Sequence, residues 1–214
     1  MGRRALGKIR SDLDLSSHFI QSLDELAAPL DVAAIFHRHA PLEIEVGSGK
    51  GMFLVDAARA FSHHNFLGIE VSKKYARFAA AKLMAADLPH ARMIHGDGLR
   101  LLREFIPDGS IAAVHVYFPD PWWKRRHRER RVMNEAFVRD IERVLQPGGK
   151  LHFWTDVKEY FDVSLQLLDH ATSLDGPQEV PPGGAAEDSP WRTHFDRRMK
   201  LSDLPVYRAE YRRV

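Results

Sequence analysis

Residues 42–70 read LEIEVGSGKGMFLVDAARAFSHHNFLGIE, and this stretch decides the fold. Leu42–Val46 has strand character and runs into glycines at positions 47, 49 and 51. Met52–Ala60 then has helical spacing, and a second apolar strand, Asn65–Ile69, ends on Glu70. Strand, glycine turn, helix and strand in so short a span make a βαβ unit with parallel strands, because the helix carries the chain back across the sheet. Glycines two apart allow a tight turn and a close approach of backbone to ligand. Two phosphate-binding patterns are excluded by the letters. A GxGxxG fingerprint needs glycine where Met52 stands, and GxxxxGK[ST] is absent. What remains is a GxGxG turn with Glu45 two positions upstream.

The alternation continues outward. Lys73–Ala86 reads as a helix, Arg92–His95 as a strand and Ile111–Phe118 as a buried strand. Arg131–Leu145 reads as a helix stopped by Pro147-Gly148-Gly149, Leu151–Thr155 as a strand and Val157–His170 as a helix. Residues 175–190 form a Pro/Gly/acidic loop, and Val206–Val214 alternates enough for an edge strand. Upstream, an amphipathic helix is expected near 21–36 (Leu23, Leu26, Ala27, Leu30, Ala34), closed by Pro41. The fold class is therefore α/β: a Rossmann-like doubly wound, mostly parallel sheet with helices on both faces. One domain is expected over 41–214, behind a lead-in at 1–40.

With 214 residues and 44% hydrophobic content the chain can bury a full core. It has no cysteine, which removes disulfides and thiolate metal sites and fits a reducing cytoplasm. No apolar run approaches membrane-spanning length, and Arg3, Arg4, Lys8 and Arg10 precede no apolar signal segment, so neither a membrane span nor a signal peptide is expected. His37/His39 and His63/His64 lack other ligand types at metal spacing, so no metal site is expected. His115 and His152 lie within apolar strands and read as satisfied core residues. Net charge is only +2, but residues 119–131 carry six basic groups against two acidic, 132–190 four against eleven, and 191–214 seven against three. Two basic clusters around an acidic stretch suggest an oriented, charged partner.

In open parallel sheets ligands sit at the carboxyl ends of the strands. After the glycine turn comes Glu70, placed to accept both hydroxyls of a ribose. Next is His95-Gly96-Asp97-Gly98, where a carboxylate can accept from an adenine amine. Together these outline a pocket for an adenosine lacking a pyrophosphate. The fourth strand ends in Tyr117-Phe118-Pro119-Asp120-Pro121-Trp122-Trp123, followed by Lys124, Arg125, Arg126, Arg128, Arg130 and Arg131. Each proline fixes its own φ and biases the residue before it, so Asp120 is held rigidly. The tryptophans read equally as rim aromatics or as a stacking wall for a splayed base. The basic run suits phosphates.

The ordered glycine turn, Glu70 and Asp97 resemble the class I S-adenosylmethionine-dependent methyltransferases. The PDPW-plus-basic segment, Pro147-Gly148-Gly149, Thr155-Asp156 and Thr193-His194-Phe195-Asp196 are similar to the bacterial tRNA (guanine-N7)-methyltransferase family, over residues 42–213. Asp196 stands where that family has glutamate. The resemblance implies that Glu45, Gly47, Gly49, Glu70, Asp97 and Asp120 contact the methyl donor. It implies that Lys124, Asp156, Thr193, His194, Phe195 and Asp196 contact the tRNA, with no metal. It further implies methylation at N7 of guanine 46 in the variable loop by a cytoplasmic monomer or homodimer that binds no DNA. Guanine N7 carries a lone pair and no proton, so Asp120 is expected to act by placement and charge rather than as a base. The alternatives are a class I methyltransferase with another acceptor and a non-catalytic RNA-binding subunit on the same fold.

Overall fold

The structure, a computed structural model, describes residues 6–7, 9–10, 12–122, 125–180 and 205–214. Among these residues the strands are β1 (Phe19–Ile20), β2 (Leu42–Val46), β3 (Asn65–Glu70), β4 (Ala91–His95), β5 (Ile111–Tyr117), β6 (Leu145–Thr155), β7 (Asp175–Glu179) and β8 (Tyr207–Arg212). The helices are α1 (Val32–Phe36), α2 (Met52–Ala60), α3 (Lys73–Ala85), α4 (Gly98–Arg100, continued by a π-helical turn to Phe105), α5 (Glu135–Val144) and α6 (Lys158–Ala171). The strands form one sheet in the order β1-β4-β3-β2-β5-β6-β8-β7. Every pairing among β1 to β6 is parallel, and β8 is antiparallel to both its neighbours.

Strand alternation sorts the core into two layers. Leu42, Ile44 and Val46 of β2 face one layer with α4, α5 and α6, where Phe137, Ile141 and Leu168 are buried. On the other face α2 and α3 pack Phe53, Leu54, Ala76, Ala79, Ala80 and Leu83. Helices therefore cover both faces. A Cβ on Gly51 would lie 2.5 Å from the Ala79 Cβ, so this glycine lets the start of α2 approach α3. From β2 the chain steps to β3 and β4 on one side, while β5 and β6 build on the other. The reversal opens a crevice at the carboxyl ends of β2 and β5, the usual ligand position of such sheets.

Five expectations need correction. No continuous helix spans 21–36. Ser22 caps a single 3-10 turn at Leu23–Glu25, the chain then extends, and Asp31 starts the short α1 by accepting from the Ala34 amide at 3.1 Å. Pro29 is the physical reason, since it cannot donate within a helix and disfavours helical geometry in the residue before it. The helix expected at 131–145 starts at Glu135, where the Asn134 side chain accepts from the Phe137 amide at 3.0 Å, and ends at Val144. The strand expected from Leu151 already begins at Leu145, so Pro147-Gly148-Gly149 lies within the span of β6 rather than between helix and strand. The loop expected at 175–190 begins with a strand, β7, which tolerates Pro177 because it lies at the sheet edge. The C-terminal strand is not an edge strand, because β8 sits between β6 and β7. The lead-in also contributes β1, parallel to β4, which was not expected.

Candidate active site

The carboxyl ends of β2 to β6 gather Glu45, Glu70, Asp97, Asp120 and Asp156 along one edge of the sheet, as the parallel topology requires. Gly47 and Gly49 have φ of 81° and 52°, left-handed values that side-chain-bearing residues rarely adopt. The turn is tied to its neighbour strand, since Gly47 and Ser48 both donate to the Ile69 carbonyl, at 2.9 and 3.1 Å. Glu70 is more occupied than a free ribose acceptor would be. Its two oxygens accept from the Gly49 amide at 2.9 Å and the Ser72 amide at 2.8 Å, so it also clamps the glycine turn to the β3–α3 turn. Each carboxylate oxygen keeps a second lone pair. Asp97 is exposed, and one of its oxygens caps α4 through the Leu99 amide at 2.8 Å.

Glu45 is the unusual member. It is buried, and its Oε2 has no hydrogen-bond partner. Burial pushes its carboxyl up to about 8; Ser48 pulls against this and the neighbouring Glu70 charge reinforces it. An orphaned buried carboxyl group normally means that something else completes it.

Asp120 is exposed at the end of β5, and the turn that carries it is strained. Phe118 and Trp122, on either side of Pro119-Asp120-Pro121, have φ of 49° and 42°. For bulky residues such angles cost of order 1–3 kcal/mol each and cluster at functional sites. Phe118 donates its amide to the Trp154 carbonyl at 2.8 Å. The Arg131 Nε donates to the Pro121 carbonyl at 2.8 Å, and the Arg130 guanidinium lies 5.2 Å from the Trp122 ring centre. Arg131, expected among the phosphate-gripping residues, thus has an intramolecular partner. Asp156 is exposed after β6. Trp123, Lys124, Thr193, His194, Phe195 and Asp196 lie outside the described residues.

Beneath the glycine turn lies a buried polar chain. Glu43 accepts from His64 at 2.5 Å and from His115 at 2.7 Å, and the His115 Nδ1 is 2.9 Å from the Tyr117 hydroxyl. His115 stacks on His152 with ring centres 4.8 Å apart. Burial alone would raise the Glu43 carboxyl, but hydrogen bonds and charge from His115 and then His64 outweigh it and bring it down to about 2. Glu43 was readable in principle. Two glutamates at alternate positions of a strand share one face, and a buried face needs partners for both.

A family model described as a putative methyltransferase matches residues 39–209. A tRNA (guanine-N(7)-)-methyltransferase of Rhodopirellula baltica is 42% identical, over the whole of this chain and 80% of its own length. One from Nitrosococcus oceani is 35% identical, over 89% and 79% respectively. This chain belongs to the tRNA (guanine-N(7)-)-methyltransferase family. Among solved structures, the 16S rRNA methyltransferase KamB superposes with a TM-score of 0.61 at 16% identity, over 84% of this chain and 92% of that one. That likeness places the fold among the class I methyltransferases.

For a member of the tRNA (guanine-N(7)-)-methyltransferase family, the group the edge must fit is S-adenosylmethionine. It fits on two counts. The donor carries an ammonium and a sulfonium, and the edge offers five carboxyl groups, one of them the orphaned Glu45. A Cβ placed on Gly47 would meet nothing within 4 Å, so the turn opens onto space. Among the described residues no group of three or more His, Asp or Glu is placed to hold a metal ion, and no helix is long and apolar enough to cross a membrane.

Proposed function

We propose that this family member transfers the methyl group of S-adenosylmethionine to N7 of guanine 46 in the tRNA variable loop, giving 7-methylguanosine. The observation that carries the reading is the rigid, strained Pro119-Asp120-Pro121 element beside a carboxyl-lined crevice, in a chain 42% identical to a tRNA (guanine-N(7)-)-methyltransferase. Glu45, Gly47, Gly49, Glu70 and Asp97 would hold the donor, Glu45 and Glu70 through charge and the glycine turn through its open backbone. When bound, the donor supplies an electrophilic methyl group on its sulfonium.

The protein's own contribution is placement. Guanine N7 presents an in-plane lone pair, so no base is needed to free it. Holding two reactants in line can supply about 7–11 kcal/mol of the barrier in the best intramolecular cases. Asp120 is a fixed negative charge where positive charge builds on the purine, and it stabilises the transition state electrostatically. Lys124 and its basic neighbours, Asp156 and the segment Thr193–Asp196 would hold the tRNA: the cations at phosphates, for affinity and register, and the carboxylates at donor groups of the base or sugar. The cytoplasm, where tRNA is matured, is the expected location of an enzyme lacking cysteine.

The test is mass mapping of modified nucleotides after incubating the protein with donor and unmodified tRNA transcript. 7-Methylguanosine at position 46 alone is expected, and a transcript with 7-deazaguanosine there should bind yet remain unmethylated. Methyl transfer to another base, or to protein, would refute the assignment.

A further inference from the structure

Left-handed angles at two bulky residues persist only when the surroundings over-determine them. At the first of the two, Phe118, the determinant is β-sheet pairing: its amide donates to the Trp154 carbonyl of β6. At the second, Trp122, no pairing with a described strand fixes the backbone. The Pro121 carbonyl immediately before it accepts from the Arg131 Nε at 2.8 Å. The Arg131 guanidinium in turn lies over the Tyr160 ring, 5.0 Å from its centre. Tyr160 is buried in α6, and its hydroxyl accepts the Met133 amide at 3.3 Å. Burial pushes the phenol up to about 12, against the pull of the Met133 amide and the Arg131 charge, and the negative charge of Asp120 adds to the rise. Arg131 is half-buried, unlike its exposed neighbour Arg130.

We propose that Arg131, seated on Tyr160, is a positioning residue that braces the Phe118–Trp122 turn and thereby fixes the Asp120 carboxylate in its catalytic register. This rests on the reading of Asp120 given above. The arrangement makes specific use of arginine. Nε holds the carbonyl while the flat guanidinium stacks on the aromatic face, which a lysine ammonium cannot do in one geometry. It also divides labour within the basic run. Phosphate-binding residues add affinity that salt erodes, whereas a brace adds none and acts only on the rate of the bound complex.

The experiment compares wild type with Arg131→Lys, Arg131→Gln, Tyr160→Phe, Tyr160→Leu and Asp120→Asn. For each, the single-turnover rate at saturating donor and tRNA transcript is measured, together with tRNA affinity over a range of salt. Both Arg131 variants should slow single turnover by about 10–100-fold, the scale on which a misplacement of about 1 Å acts. Their tRNA affinity should stay within about twofold of wild type with an unchanged salt slope, because no phosphate contact is lost. Tyr160→Leu should slow turnover similarly, and Tyr160→Phe, which keeps the ring, should be nearly as fast as wild type. A wild-type rate combined with a salt slope flattened by about 0.7–0.9 would make Arg131 a phosphate contact and overturn the proposal. If the Arg131 variants do not fold, the tyrosine pair decides, and equal rates for Tyr160→Phe and Tyr160→Leu refute the brace. A slow Asp120→Asn beside fast Arg131 variants refutes the brace alone. A fast Asp120→Asn refutes the role of Asp120 and, with it, the claim that Arg131 acts through that carboxylate, whatever the Arg131 variants show.

Discussion

Glu45→Gln tests the donor site through the stability of the empty protein. The native carboxyl titrates near 8, against 4.5 for an ordinary glutamate. Between those values the folded chain keeps a proton that the unfolded chain releases, so stability falls as pH rises, by roughly 1.4 kcal/mol per pH unit. At pH 7 the accumulated cost is about 3 kcal/mol. Glutamine carries no such cost, although its amide brings a desolvation penalty that does not vary with pH. The melting-temperature difference between Glu45→Gln and wild type should therefore grow steadily from pH 5 to 8 and level off above. At about 2–4 °C per kcal/mol for a chain of this size, the roughly 4 kcal/mol change across that range corresponds to a rise of about 8–16 °C. Donor affinity should move oppositely. In wild type it should climb with pH towards 8 as the cation claims the carboxylate, and in the variant it should be weak and flat. Thermal melts and calorimetry over the same pH series make the measurement. A pH-independent melting difference, or a donor affinity in wild type that ignores pH, would refute the reasoning.

Glu43 should behave with the opposite sign. Its carboxyl is held at about 2 by the two histidines, so it contributes roughly 3 kcal/mol that is fully present above about 4.5 and is lost as pH falls through 2; urea unfolding of wild type and Glu43→Gln from pH 2 to 6 should converge at the acid end. Asp120→Asn should cut single turnover by about 10²–10³ with a smaller loss of donor affinity, because the purine charge exists mainly in the transition state; equal losses in both would argue against that role. Glu70→Ala should weaken donor binding by roughly 1–3 kcal/mol and, unlike Asp97→Ala, should also raise amide exchange at Gly49 and Ser72, whose N–H groups it holds. Unchanged exchange would mean the clamp is dispensable.

What was legible in the sequence was what local pattern controls. β2, α2, β3 and the glycine turn are specified by residues within one βαβ unit, and the carboxylates at the strand ends follow from the parallel topology. The 21–36 segment misled because its apolar spacing was weighed without Pro29, a single residue that outranks periodicity. Partners distant in sequence were hidden. Arg131 sits in a basic run and reads as one more phosphate ligand until α6 delivers Tyr160 beneath it. Glu43 finds His115 across seventy residues of chain, and no spacing rule announces such a pair. Strain at Phe118 and Trp122 was equally silent, because prolines reveal rigidity but not the sign of a neighbouring φ.

The sheet order has a consequence for the sequence of events during synthesis. β7 leaves the ribosome before β8 yet pairs only with it, and β8 is also the outer neighbour of β6. Among the described strands, until residues 207–212 emerge the long β6 strand therefore ends the sheet with an open row of amides and carbonyls, and residues 175–179 have no strand to join. Translation adds about 5–20 residues per second, so this open edge lasts for seconds on each nascent chain. Among the described strands, β8 alone closes both gaps. A ribosome stalled between residues 180 and 205 would leave that border of β6 open to pairing with whatever strand is nearby.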